Sequence, residues 1–287
     1  MKIVFLLFVF LVLSPGYNNL SFIKPSRGVV LNKAHYINRG LVGYWIANEG
    51  TGTNLKDISE TGNDGTLTNF ALSGAASNWV GSRMGGSIHF DGSNDLVNIG
   101  TTMQSYIDYD KPSTLIFWFS FSTFSAGSTY SLMSTAVASF NGFDQVEFGI
   151  VSDKLSYTLT RYTANSTQDG WLWQSPALSL SADKLYCVAF VYDGSNASTS
   201  ASLYFNAVNQ NVTVVANTGA HIGSLWQAAK LASKDLWIGR RNYTTGDLPF
   251  NGVIEEVRIY NRALNQSDLQ TILNYPHIDV QSTIKRY

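Results

Sequence analysis

Thr114-Leu115-Ile116-Phe117-Trp118-Phe119-Ser120-Phe121 decides the fold of this chain. In an extended segment successive side chains point to opposite sides, so Leu115, Phe117, Phe119 and Phe121 share one face while Ile116 and Trp118 share the other. Apolar residues on both faces predict a central strand covered on both sides. Outward from it, further runs rich in β-branched and aromatic residues lie at Ser87 to Phe90, Asp95 to Ile99, Val146 to Val151, Lys154 to Arg161, Lys184 to Tyr192, Ala201 to Phe205, Val212 to Ala216, Asp235 to Gly239 and Gly252 to Tyr260. The turn clusters Ser152-Asp153 and Asp193-Gly194-Ser195-Asn196 predict antiparallel hairpins between neighbouring runs. Only Asn265 to Asn274 reads as helix, with Asn265 or Ser267 as its cap and Pro276 as its stop. Many short strands without βαβ alternation predict an all-β fold. Its form is a two-sheet antiparallel β-sandwich (jelly roll) with one short C-terminal helix.

Of the 287 residues, 45% are hydrophobic, 13% aromatic and only 14% charged, which supplies apolar area for a large core. The formal net charge is −1. No overall field draws such a chain to a phosphate backbone, so nucleic acid is not an expected partner. Cys187 is the single cysteine, which leaves no intrachain disulfide. Within Leu185-Tyr186-Cys187-Val188-Ala189-Phe190 it reads as a small buried hydrophobe.

Met1-Lys2, the apolar run Ile3 to Leu13 and then Ser14-Pro15-Gly16 have the form of a charged n-region, an h-region and a polar break. Residues 1–16 therefore read as a secretory signal peptide, or else as a hydrophobic arm that docks on a neighbouring subunit. The run is too short for a stable membrane span. Residues 17–40, with Pro25, Gly28, Lys24, Arg27, Lys33 and Arg39, read as an extended arm. The sandwich occupies 41–275, and 276–287 form a C-terminal tail.

Three motifs carry a resemblance to a known family. The first is Gly40-Leu41-Val42-Gly43-Tyr44-Trp45 with Asn48-Glu49-Gly50-Thr51-Gly52, continuing through Asp57-Ile58-Ser59 to Gly62-Asn63-Asp64-Gly65-Thr66-Leu67. The second is Ile88-His89-Phe90-Asp91-Gly92-Ser93-Asn94-Asp95-Leu96-Val97. The third joins Leu236-Trp237-Ile238-Gly239-Arg240 to Phe250-Asn251-Gly252-Val253-Ile254-Glu255-Glu256-Val257-Arg258-Ile259-Tyr260. In order and spacing these resemble the laminin-G-like domain of the concanavalin A-like lectin and glucanase superfamily. That sandwich hosts lectins, glycan-binding modules, glycosidases and structural adaptors, so function has to be argued from a site.

The resemblance implies one structural Ca²⁺ where the first Gly-rich loop meets the strand before the last helix. A hard cation takes six to eight oxygens at about 2.3–2.6 Å, which a tight loop and carboxylates supply. Asp57, Asn63, Glu255 and Glu49 are the candidate ligands, with Glu255 standing where the family more often has Asp. The alternative is that Asp57 and Asn63 satisfy turn amides while Glu255 pairs with Arg240 or Arg258.

Glycosidases need two carboxylates converging on one bond, about 5–5.5 Å or about 6.5–9.5 Å apart. The spacing in Asp144-Gln145-Val146-Glu147 sends the two acids to opposite faces of a strand, and adjacent Glu255 and Glu256 also diverge. His35, His89, His221 and His277 are scattered, with neither zinc spacing nor a nucleophile beside them. The expectation is a non-enzyme, with a glycosidase as a minor alternative.

Sugars stack on aromatic faces flanked by amides and acids, at loops or on an open sheet. Trp171 and Trp173, with Tyr162 and Asp169, form the best local match, and Trp226 and Tyr243 sit in loops expected near the same rim. The alternative is that Trp171 and Trp173 plug the core, where Trp45, Trp118 and Trp237 are also expected. The leading expectation is a non-catalytic carbohydrate-binding or adhesion module, secreted or at an extracellular surface, whose partner is a glycan or cell-surface polysaccharide. The rival is a structural phage capsid or tail decoration protein in a virion, gripping other subunits through its arm and tail.

Overall fold

The structure is a computed structural model that describes residues 24–25, 29–74, 77–107, 111–135, 145–162, 168–195, 197–218, 235–241 and 248–282. In chain order the first strands are β1 (Val29–Leu31), β2 (Leu41–Trp45), β3 (Asn54–Leu55), β4 (Gly65–Thr68), β5 (Asn78–Ser82), β6 (Gly85–Asp91) and β7 (Leu96–Gly100). There follow β8 (Ser113–Phe121), β9 (Thr129–Thr135), β10 (Gln145–Val151), β11 (Lys154–Tyr162), β12 (Gln168–Gln174) and β13 (Tyr186–Tyr192). The last are β14 (Ala201–Phe205), β15 (Val208–Gln210), β16 (Thr213–Thr218), β17 (Leu236–Ile238), β18 (Asn251–Tyr260), the helix α1 (Gln266–Asn274) and β19 (Val280–Ser282).

The strands form two antiparallel sheets. The nine-stranded sheet runs β16-β12-β11-β10-β9-β17-β7-β4-β3. The eight-stranded sheet runs β15-β14-β13-β8-β18-β6-β5, with β2 also paired to β18. β8 lies between β13 and β18, as its two apolar faces require. Leu115, Phe117, Phe119 and Phe121 point into the core between the sheets, where Phe117 meets Phe148 and Phe119 meets Phe250. Ile116 and Trp118 face a second apolar layer on the outer side of the same sheet, with Cys187, Leu269, Ile272 and Leu273. The helix closes that layer. Its cap is Asn265, whose side chain accepts from Asp268 N at 2.9 Å. Cys187 is buried there, and burial pushes its thiol up, so it packs as a hydrophobe.

The arm and the tail meet. β1 pairs antiparallel with β19 (Val29 opposite Ser282, Leu31 opposite Val280), and the Asn38 amide donates to Asp279 O at 3.1 Å. Beneath this ribbon Arg258 is fully enclosed. It bonds Glu256 at 2.6 Å and Asp279 at 2.9 Å, and donates to Tyr44 Oη at 2.6 Å and to Pro276 O.

Candidate functional site

Trp171 and Trp173 do point the same way, but toward the core. Trp171 and Trp173 lie directly opposite Leu159 and Tyr157 of β11, both core residues, so this face of β12 meets the other sheet. Trp173 is fully buried, donates its indole N–H to Ser198 O at 2.8 Å and packs on Tyr157. Trp171 stacks beside it at 5.7 Å and is buried too. Their ring faces are therefore closed to a ligand, which corrects the expectation of a Trp pair on the rim. Tyr162 and Asp169 belong to the end of the β11–β12 pairing, opposite Gln168 and Arg161 respectively. Trp226 and Tyr243 lie outside the described residues.

A different tryptophan stands outward. Registers across the nine-stranded sheet align Thr66, Asn98, Trp237, Ser134, Glu147, Thr158 and Leu172 in one row. Directly opposed residues share a face, and Val97, Phe148 and Tyr157, one step along their strands, lie in the core. The row is thus on the outer face. Trp237 is half-buried, and its indole N–H has no hydrogen-bond partner. Asn98 beside it donates to Asp235 at 3.0 Å, the Ser134 hydroxyl donates to Arg240 O at 2.9 Å, and Glu147 is paired with Arg241 at 2.8 Å. A second polar row, Ser131, Gly149, Ser156 and Gln174, runs alongside, and the Ser131 hydroxyl is also without a partner.

Ser131, Ser134, Glu147 and Ser156 are buried although they are on this outer side, so Trp237, Asn98 and Thr158 are among the members of these rows nearer to solvent. Gly239 fixes the end of β17. Its φ is +84°, and an added Cβ would overlap the ring of Phe90. Sequence reasoning missed Trp237 by placing it, with Trp45 and Trp118, in the core. The signal was present in Leu236-Trp237-Ile238, where the aliphatic neighbours are buried and alternation sends Trp237 outward.

The family model described as concanavalin A-like lectin/glucanases superfamily, of laminin-G-like type, matches residues 91–270. The chain belongs to this family. Similar solved structures include the receptor binding domain of botulinum neurotoxin mosaic serotype C/D, at 13% identity and TM-score 0.55, covering 84% of this chain and 52% of that one. Another is the binding domain of botulinum neurotoxin DC in complex with SialylT, at 15% identity and TM-score 0.52, covering 83% and 52%. A third is Domain 4 of AbnA, a GH43 extracellular arabinanase from Geobacillus stearothermophilus, in complex with arabinotriose, at 14% identity and TM-score 0.50, covering 81% and 98%. At such identities the likeness shows the fold. The chain spans about half the length of the toxin domains it matches. No curated relative matches it in sequence.

The laminin-G-like resemblance implied calcium; Asp57, Asn63 and Glu255 are engaged with protein partners here, while Glu49 keeps one buried oxygen without one. Asp57 Oδ1 accepts from Tyr44 N at 3.0 Å and Ser59 N at 2.8 Å, while Oδ2 accepts from Asn63 N at 3.0 Å and the Thr61 hydroxyl at 2.9 Å. Asp57 organises turn amides. The Asn63 amide donates to the Thr61 hydroxyl at 2.5 Å and to Val42 O at 3.3 Å. Glu49 Oε1 accepts from Lys56 N at 2.8 Å, and burial raises that carboxyl above its ordinary range. Glu255 pairs with neither Arg240 nor Arg258 among its described bonds. It meets Lys24 at 3.1 Å and accepts from the Ser82 hydroxyl at 2.5 Å. Among the described residues no three His, Cys, Asp or Glu side chains gather as a metal cluster. No helix among the described residues is long and apolar enough to cross a membrane.

Proposed function

We propose that this chain is a non-catalytic carbohydrate-binding module whose sugar lies on the outer face of the nine-stranded sheet, against Trp237. The observation that carries the reading is the half-buried, outward-facing Trp237 in a row of amide, hydroxyl and carboxylate groups. An indole face suits the C–H-rich side of a pyranose, and the half-buried Asn98 amide and Thr158 hydroxyl in the same row suit sugar hydroxyls. SialylT and arabinotriose are bound in structures of the same fold. The non-catalytic reading is supported by Glu147, the carboxylate of this row, being held in an ion pair with Arg241 at 2.8 Å.

Screening the protein on an oligosaccharide array, then measuring the best ligand by calorimetry on wild type and Trp237→Ala, tests the proposal. Loss of binding by a variant that still unfolds cooperatively, with a melting temperature lowered by no more than a few degrees, is the expected result. Retained affinity in the variant, or no ligand for the wild type, defeats it.

A structural role in a virion or surface assembly has one observation in its favour. Val30, Tyr36, Tyr275 and Ile278 are exposed apolar residues around the arm–tail ribbon and the end of α1. Under this reading the purified chain forms a concentration-dependent oligomer in sedimentation that Val30→Ser with Ile278→Ser dissolves. A chain that stays monomeric leaves the binding module alone. Secretion belongs with either reading and is tested by intact mass, which would show whether 1–16 are removed.

A further inference from the structure

Lys24 comes from the arm, far from any motif, yet it is buried to 5% exposure. Its ammonium donates to Gly86 O, to Glu255 O at 2.6 Å and to Glu255 Oε2 at 3.1 Å, which uses all three of its N–H groups on oxygens. The Ser82 hydroxyl shares Glu255 Oε2, and Glu49 lies close enough to act on the Lys24 charge while keeping one buried oxygen without a partner. The segment is anchored on both sides of the side chain, by Lys24 N to Met84 O at 2.5 Å and by the Asn48 amide to Pro25 O at 2.9 Å. Two glycines let β6 close over it. Gly85 has φ +119°, and a Cβ on Gly86 would crowd Ala47 O and Asn48 Cα at 3.1 Å.

Backbone carbonyls, a hydroxyl and carboxylates converging on one buried positive charge are the donor set of a hard-cation site. We infer that this is a cation site filled in cis by the Lys24 ammonium, and that a divalent cation such as Ca²⁺ takes the same oxygens only when Lys24 is withdrawn. Arm docking and metal binding are then mutually exclusive occupancies of one position. By linkage, each weakens the other by the same factor. The residues holding the ammonium, Gly86 and Glu255, belong to β6 and β18, and Ser82, which bonds the same Glu255 oxygen, ends the edge strand β5, so occupancy ties the arm to the edge of the eight-stranded sheet.

The test uses the full chain and Ca²⁺ itself. Melting temperatures are measured in EDTA and in millimolar CaCl₂ for wild type, Lys24→Ala and Lys24→Ala with Glu255→Gln, with calorimetric titration of Ca²⁺ into the first two. The expected wild type melts at the same temperature in both buffers and shows no Ca²⁺ heat at this position. Lys24→Ala melts several degrees lower in EDTA and recovers saturably with Ca²⁺, and the double variant does not recover. A wild type that loses stability in EDTA overturns the inference, as does a Lys24→Ala protein that matches wild type in EDTA or remains unfolded or unrescued in Ca²⁺.

Discussion

Arg258 Nη1 lies 2.9 Å from Asp279 Oδ2, both side chains shut off from water, so the last strand of the eight-stranded sheet is bonded to the C-terminal segment through the protein interior. Burial alone would lower the Arg258 pKa, but Asp279 and Glu256 hold it well above its ordinary value. Burial likewise pushes Glu256 up, and the charge of Arg258 with the His277 contact outweighs it and keeps that carboxyl below the usual range. Arg258→Met leaves two enclosed carboxylates without their cation, which costs about 3–5 kcal/mol. Urea unfolding checks this. Combining Arg258→Met with Glu256→Gln and Asp279→Asn restores most of the loss, because neutral groups need no counter-charge; a triple variant no more stable than the single shows that packing and not charge is at stake.

Removing 276–287 is expected to do more than expose β1. Arg258 loses Pro276 O and Asp279, Glu256 loses His277, and Val29–Leu31 lose their strand partner among the described residues. The truncated chain should melt about 10 °C or more below the full one, on the scale of one buried ion pair in a domain of this size. Equal melting temperatures would show the tail to be a passenger.

The sandwich could be read from β8, since Leu115, Phe117, Phe119 and Phe121 against Ile116 and Trp118 already state that two layers cover one strand. Alternation is a local property, and that is why it survives in the sequence. Which face of a strand meets the core depends on neighbours far away in the chain. Trp171 and Trp173 alternate correctly and still face inward, because they lie opposite the core residues Leu159 and Tyr157 of β11. Trp237 reads as core by residue type and stands outside by register with Asn98 and Ser134. Lys24 had no readable signal at all. Its partner Glu255 is separated from it by nearly the whole domain, and a lone basic residue in a polar arm looks like any solvated charge.

The two kinds of tryptophan should separate in unfolding experiments. Trp173→Ala opens a cavity beside Tyr157 and Tyr192 and strips Ser198 O of its donor, at a cost of about 3–5 kcal/mol. Trp237→Ala removes a half-buried ring whose N–H has no partner, and should cost less than about half as much. Equal losses in denaturant titrations would place Trp237 with the core after all.

Asp95 offers a pH test. It is buried at the turn after β6, accepts from Asp91 N at 2.9 Å, and has its other oxygen unpartnered. Burial is the main cause raising its pKa to about 6, with the neighbouring Asp91 charge adding to the effect. The unfolded value is near 3.8. Between these values the folded chain holds more protons than the unfolded one, and stability contributed by this group falls as pH rises through the window. It is greatest below the unfolded pKa and fully lost above about 6. Asp95→Asn keeps an acceptor for Asp91 N and cannot ionise. It should therefore raise the melting temperature at pH 7.5 and bring no gain at pH 4. A gain of the same size at both pH values would mean that the carboxylate's charge is not what strains this turn.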